Sequence, residues 1–341
     1  MIRLIFKILL LFCILFIFSS CEEAILLELN TSDTNIVVEG YIEPELPAYV
    51  FLSKSQPFFD DINEESINSL FIQDAEIIIT RDDGEIRKLA YINQNLLDSI
   101  TSHYNIDRIP LPFHSIYLDI NPNFENFNLP NHYYKLDVKT RNKHITSNTF
   151  IPPKLDIDSV WCICGTGQND LSDCYIWVLI NDPDTIGNIL YAQYRRYDGE
   201  NIDKSLRICS RFIRRDKLWN GKSFATFFSR SGVLINEDGN GGQLPFYSKR
   251  IQNGKVLEED KVIFKISQIN NETYLFLRSK KMQEELDNNP FSEPINLINN
   301  IEGGLGIWCG YGSLYYDITI QDSIVIYNSI KPDLTDIFLI E

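Results

Sequence analysis

Three cysteines fall within thirteen residues: Cys162, Cys164 and Cys174. Cys209 and Cys309 follow at a distance. Thiols this close can form a disulfide, hold a metal or stay reduced in a core. Structural zinc sites usually pair C-x2-4-C units or add histidines. Here the pair is C-x-C, and none of the four histidines (His103, His114, His132 and His144) lies nearby in sequence. The expectation is a disulfide and no metal. Cys164–Cys174 is preferred because a short polar loop through Gly165–Asp170 joins the two. A bridge from Cys162 or Cys164 to Cys209 is the alternative, since connectivity does not follow from sequence alone. The preferred pairing leaves Cys162 on the opposite face. That requires a bend after Trp161, because strand residues two apart share a side.

Other chemistry finds weaker footing. There is no G-x-S-x-G elbow and no H-E-x-x-H pair. Asn236–Gly242 carries oxygen side chains and glycines but lacks the spacing and closing Glu of a calcium loop, so it reads as a polar turn. The glycines between 303 and 312 do not make a phosphate cradle; they suit tight turns and packing under Trp308 and Tyr311. No cofactor is expected. Trp161, Trp177, Trp219 and Trp308 all lie in the second half of the chain. Trp177 sits in the apolar run YIWVLIN and reads as core. Trp219, in the polar stretch Asp216–Gly221, is the candidate for ligand binding.

The remaining cysteines lie at the front. Arg3 and Lys7 precede an uninterrupted apolar run, Ile8–Phe18, then Ser19, Ser20 and Cys21. This order reads as a secretory signal over residues 1–20. The run is shorter than the roughly 20 residues a membrane span needs. Small residues directly before a cysteine resemble a bacterial lipobox, which implies that Cys21 carries lipid, with residues 21–34 as a tether. Phe18 stands where such sequences usually have Leu. Glu22 and Glu23 resemble a weak form of the surface-export signal of Bacteroidota lipoproteins. The expected location is the outer membrane, held by lipid, and the Glu22-Glu23 resemblance implies exposure at the cell surface.

The body behind the tether must be built from strands. The chain has 341 residues, 12% aromatic, with 17 Tyr and 21 Phe. That favours β-structure. Lys and Arg total 31 against 47 Asp and Glu, for a formal charge of -16. Phosphate surfaces repel such a chain as a whole, and no basic block compensates in the sequence, so no nucleic-acid partner is expected. Short strands are expected at Asn35–Ile42, Tyr49–Ser53, Phe71–Thr80 and Ile86–Tyr91, the last two joined by a hairpin turn with Asp83-Gly84 at its centre. A second hairpin is expected over His132–Phe150. Asn93–Pro130, with its prolines, reads as an elaborated loop. Pro152-Pro153 ends the pattern. The expected fold is mainly β: an Ig-like antiparallel sandwich over 35–153 and a β-rich C-terminal domain over 154–341. That second domain holds one helix, from Asn271 as cap to Leu286, with Leu275, Met282 and Leu286 on one face.

Three blocks carry a family resemblance: VVEGYI at Val37–Ile42, IPPKLDIDSV at Ile151–Val160, and NNPFSEPINLINNIEGGLG at Asn288–Gly306. Together they resemble the Bacteroidota lipoprotein family called domain of unknown function 4249, across nearly all of the mature chain. The resemblance implies no catalytic residue. Members are often encoded beside TonB-dependent outer-membrane receptors, which implies an accessory role in nutrient uptake. The expected function is therefore a non-enzymatic, lipid-anchored binding or accessory module that partners such a receptor, with its ligand unknown. The alternative is a cell-surface hydrolase of polymers, which would need two carboxylates facing each other across a cleft.

Overall fold

The computed structural model describes residues 35–55, 69–103, 115–166, 172–197, 206–215, 219–235, 241–248, 250–252, 255–257, 259–286 and 296–333. The signal and tether, and the calcium-like run at 236–240, lie outside them. In the front half the strands are β1 (Ile36–Ile42), β2 (Tyr49–Lys54), β3 (Glu76–Arg81), β4 (Ile86–Lys88), β5 (Ala90–Asn93), β6 (Ser115–Leu118), β7 (His132–Lys139) and β8 (His144–Ile151). The rear half gives β9 (Asp156–Thr166), β10 (Ser172–Asn181), β11 (Ile189–Arg196), β12 (Arg207–Arg215), β13 (Ser223–Phe228), β14 (Arg230–Ile235), β15 (Gly241–Leu244) and β16 (Phe246–Tyr247). Then come β17 (Arg250–Gln252), β18 (Lys255–Leu257), β19 (Lys261–Ile269), β20 (Ile301–Glu302), β21 (Leu305–Thr319), β22 (Ile326–Tyr327) and β23 (Ser329–Ile330). The described helices are α1 (Gln94–His103), α2 (Phe124–Phe127) and α3 (Asn271–Leu286).

One long sheet organises the molecule, in the order β12-β11-β19-β21-β1-β2-β6-β5. It runs through the 153/154 boundary, because β21 pairs antiparallel with β19 on one side and parallel with β1 on the other. Two five-stranded sheets pack on it. The sheet β20-β8-β7-β3-β4 encloses a front core of Val38, Val50, Leu52, Ile77, Ile79, Leu136, Val138 and Trp308, among others. The sheet containing β13-β10-β9-β22, with β16 on β10, encloses a rear core that includes Val160, Ile176, Val178, Ala192, Phe228, Phe264 and Tyr316. Alternation explains both sandwiches: β8 (HITSNTFI) buries every second side chain and turns the others outward. The even-numbered side of β21 serves both cores, with Trp308 in the front one and Tyr316 and Ile318 in the rear one. Its odd side carries Ile307, Cys309, Tyr311 and Tyr315 into two further apolar clusters on the opposite face.

Two expectations about local structure fail for identifiable reasons. Asn93–Pro130, expected as an elaborated loop, contains regular elements of its own: α1, β6 and α2. Asn93 caps α1, its Oδ1 accepting the Leu96 N–H at 2.9 Å. These pieces are ten residues or shorter, so prolines between them dominate the compositional signal. The cap of α3 is Asn270, one residue earlier than expected; its Oδ1 accepts the Thr273 N–H at 2.9 Å. The buried side of α3 is Thr273, Phe276 and Ser279, whereas Met282 is 42% exposed. Ser279 packs there because its hydroxyl is satisfied twice, donating to Phe276 O and accepting from Ile298 N.

Candidate functional site

Cys164 and Cys174 face each other directly across the β9–β10 ladder and are joined by a disulfide, with Cα atoms 4.0 Å apart. Cys162 is a buried free thiol on the same side, in the rear core. The bend that would have turned it to the other face is absent, since strand alternation holds through both residues. Burial pushes the Cys162 thiol up to about 12. Cys209 is buried and likewise raised. Cys309 rises to about 12, again first through burial. All three therefore stay protonated at neutral pH, packing as small apolar groups rather than acting as nucleophiles. Asp322 approaches Cys164 and Cys174 so that all three ligand atoms lie within 4.8 Å of one another. Sulfurs bonded to each other are not thiolates, so this trio is not a metal site. His132 and His144 stand at opposite ends of the β7–β8 hairpin, paired with Asp82 at 2.6 Å and Asp137 at 3.1 Å.

The tryptophans divide into three environments. Trp308 is fully buried in the front core, its Nε1 donating to Tyr134 O at 3.1 Å. Trp219 is half-buried and stacks on Phe224, ring centroids 4.6 Å apart, so it does not project alone into solvent. Trp177 was expected in the core and is not there. Its neighbours Ile176 and Val178 fill the rear core, which places Trp177 on the outer face. It stacks on Trp161 across the ladder, centroids 6.2 Å apart at 21°. The YIWVLIN run misleads because its outward residues bury one another laterally, so apolar residues occur on both faces.

Cross-strand register extends this pair into a row: Ile326 on β22 opposite Trp161 on β9, Trp161 opposite Trp177 on β10, and Trp177 opposite Phe227 on β13. Trp177 and Phe227 are 5.1 Å apart, and Tyr175 meets Phe227 edge-on at 5.4 Å. Ile163, opposite Tyr175, is 42% exposed, and Ile326 is 65% exposed. Asp173 lies at the end of this face, its carboxyl pushed above the usual range by burial. The face is a patch of aromatic and branched side chains with Asp173 at its border. Sequence reasoning named Trp161 and Trp177 but not the row, because Phe227 and Ile326 join it only through strand pairing.

The described parts of the three sequence blocks converge elsewhere, on β21, while residues 288–295 of the third lie outside the described residues. Gly40 of VVEGYI stands opposite Trp308 in the parallel β1–β21 ladder. A Cβ there would come within 2.6 Å of Trp308 Cε3. Gly306 takes φ +111°, with Val38 O at 1.9 Å from where its Cβ would be. Asn300 bonds to Trp308 like a strand partner, donating to its O at 2.8 Å and accepting from its N at 2.9 Å. The Phe150–Pro153 connector crosses β21 over Gly310 and Gly312, with carbonyl oxygens 2.3–2.5 Å from the Cβ positions. On the other face, Lys265 reaches Glu43 at 2.9 Å, both buried, and lies over the rings of Tyr311 and Tyr315. These residues build a joint between the two cores, a structural role.

Comparison with curated proteins and with solved structures found no match. A family match covers residues 22–314, which takes in all three blocks, the joint they form on β21 and the aromatic row up to Phe227. The chain belongs to the family described as a domain of unknown function, DUF4249.

Proposed function

We propose that the chain is a lipid-anchored accessory protein of the outer membrane that docks onto a TonB-dependent receptor in nutrient uptake. Cys21 would carry the lipid, and three acyl chains suffice for stable anchoring where one does not. The observation that carries the docking is the row Ile326–Trp161–Trp177–Phe227 on the outer face of the rear sandwich. Aromatic side chains with apolar neighbours are the composition of a protein interface core. A site for a small polar ligand would instead gather convergent hydrogen-bonding groups in a concavity.

The test is isolation of the tagged protein from outer membranes in the presence and absence of the row. The wild-type chain is expected to bring a TonB-dependent β-barrel with it. W161A/W177A, if its melting temperature is within a few degrees of wild type, should lose that barrel by tenfold or more. Equal recovery from the double variant overturns the docking face. Labelling with a fatty-acid analogue checks the anchor: Cys21→Ala should carry no label, and label retained on it would assign the lipid elsewhere.

A further inference from the structure

The chain has a formal charge of -16, yet its described residues form a surface hollow of the opposite character. Lys54, Arg141 and Lys143 line it together with Thr140 and Asn142, and Asp74 is the one acid among its described lining residues, over a floor of Ile36 and Ile72. Its volume is about 320 Å³. Strand ends put the cations together. Lys54 closes β2, and residues 140–143 form the β7–β8 turn. Lys139, just before that turn, is exposed too. Arg141 and Asp74 pair at 2.7 Å but are 84% and 51% exposed, so this contact is solvent-screened and easily opened. Ile36 opens β1, so the hollow lies where the chain coming from Cys21 enters the body.

We propose that this hollow docks the body onto phosphate-bearing anionic headgroups of the membrane that holds the anchor. The proposal rests on the reading of Cys21 as the lipidated residue. Residues 22–35 join Cys21 to Ile36, so the chain cannot carry the hollow more than about 50 Å from the anchor. That reach keeps the hollow at an effective headgroup concentration in the millimolar range, so an affinity too weak for a free protein is enough. Each cation brought to an anionic surface strengthens the contact about fivefold. Asp74 subtracts from that. The net attraction is therefore modest and salt-sensitive. Its consequence is orientation: the tethered end faces the lipid and the rest of the body is directed away from it.

The experiment uses the native lipidated protein reconstituted into vesicles of phosphatidylcholine alone or with phosphatidylglycerol, read by amide hydrogen exchange. Exchange of residues 139–144 is expected to slow severalfold in the anionic vesicles, consistent with about fivefold per engaged cation. The effect should vanish in K54E/R141E/K143E and at 0.5 M salt. Membrane attachment, read by flotation at high salt, reports the anchor separately. Attachment without any difference in exchange between the two vesicle types overturns the docking alone. Failure to float in both overturns the anchor reading and the docking with it.

Discussion

Gly40 has no room for a methyl group, and the cause lies at the other end of the chain. Trp308 sits over it with nothing between. Gly40→Ala should lower stability by about 1–3 kcal/mol through overpacking, measured by urea unfolding followed in tryptophan fluorescence. An unchanged midpoint would show that the indole can retreat. The VVEGYI block was legible as a motif, but its reason was not, because no local pattern relates residue 40 to residue 308. Arg81 illustrates the same limit. Its guanidinium is buried at the end of β3 and donates to the carbonyls of Asn126 and Phe127 and to Asp83 and Glu85. The hydrogen bond from Arg81 holds the Asp83 carboxyl down at about 2, helped by the Glu85 N–H. A depressed carboxylate stabilises the fold above its unfolded value and loses that contribution as it protonates. Stability should therefore fall between about pH 4 and pH 2. In Asp83→Asn that part of the acid dependence should be flatter, which thermal melts across the range would reveal.

Hairpins were the most legible elements. Asp83-Gly84 marks the β3–β4 turn, where Gly84 takes φ +91°, and the alternation in HYYKLDVK and HITSNTFI gives β7 and β8 almost to the residue. Local chemistry writes these turns, so sequence shows them. The β9–β10 hairpin is the third, and its disulfide is a brace across the ladder near its turn. Replacing Cys174 by Ser should cost about 3 kcal/mol, from the freedom restored to the unfolded chain by opening a loop of ten residues' separation. Loss of the bridge would show as a lower melting temperature matched by the wild type under reducing conditions. A variant that melts like oxidised wild type would mean the ladder alone fixes this turn. Where elements depend on distant partners, legibility ends. α3 was found with its length right, but its buried side follows from Thr273 and Ser279 packing against the sheet, which an apolar periodicity cannot display. The aromatic row likewise needs four strands in register before it exists.

At the scale of the molecule, two cores share one sheet, and β21 belongs to both. A mainly β composition and a change of character near residue 153 are visible in sequence. The shared strand is not, since its partner β1 lies at the far end of the chain. The connector that separates the halves in sequence is pressed onto that same strand, at Gly310 and Gly312. The parallel pairing of β1 with β21 also has a consequence in time. Ile301 and Trp308 complete the front core, and Asn300 secures the strand that brings them, so the first sandwich to be synthesised is among the last to be finished. Contacts this distant in sequence are slow to form, because loop closure must precede any gain from them. A chain ending at residue 299 should fail to fold its front half, shown by exchange-labile amides in β7 and β8 that are protected in the whole protein; protection in the truncated chain would refute this. The front strands of a newly made chain should therefore stay unpaired until β21 is synthesised, which is the form that the export required by the proposed anchor would thread.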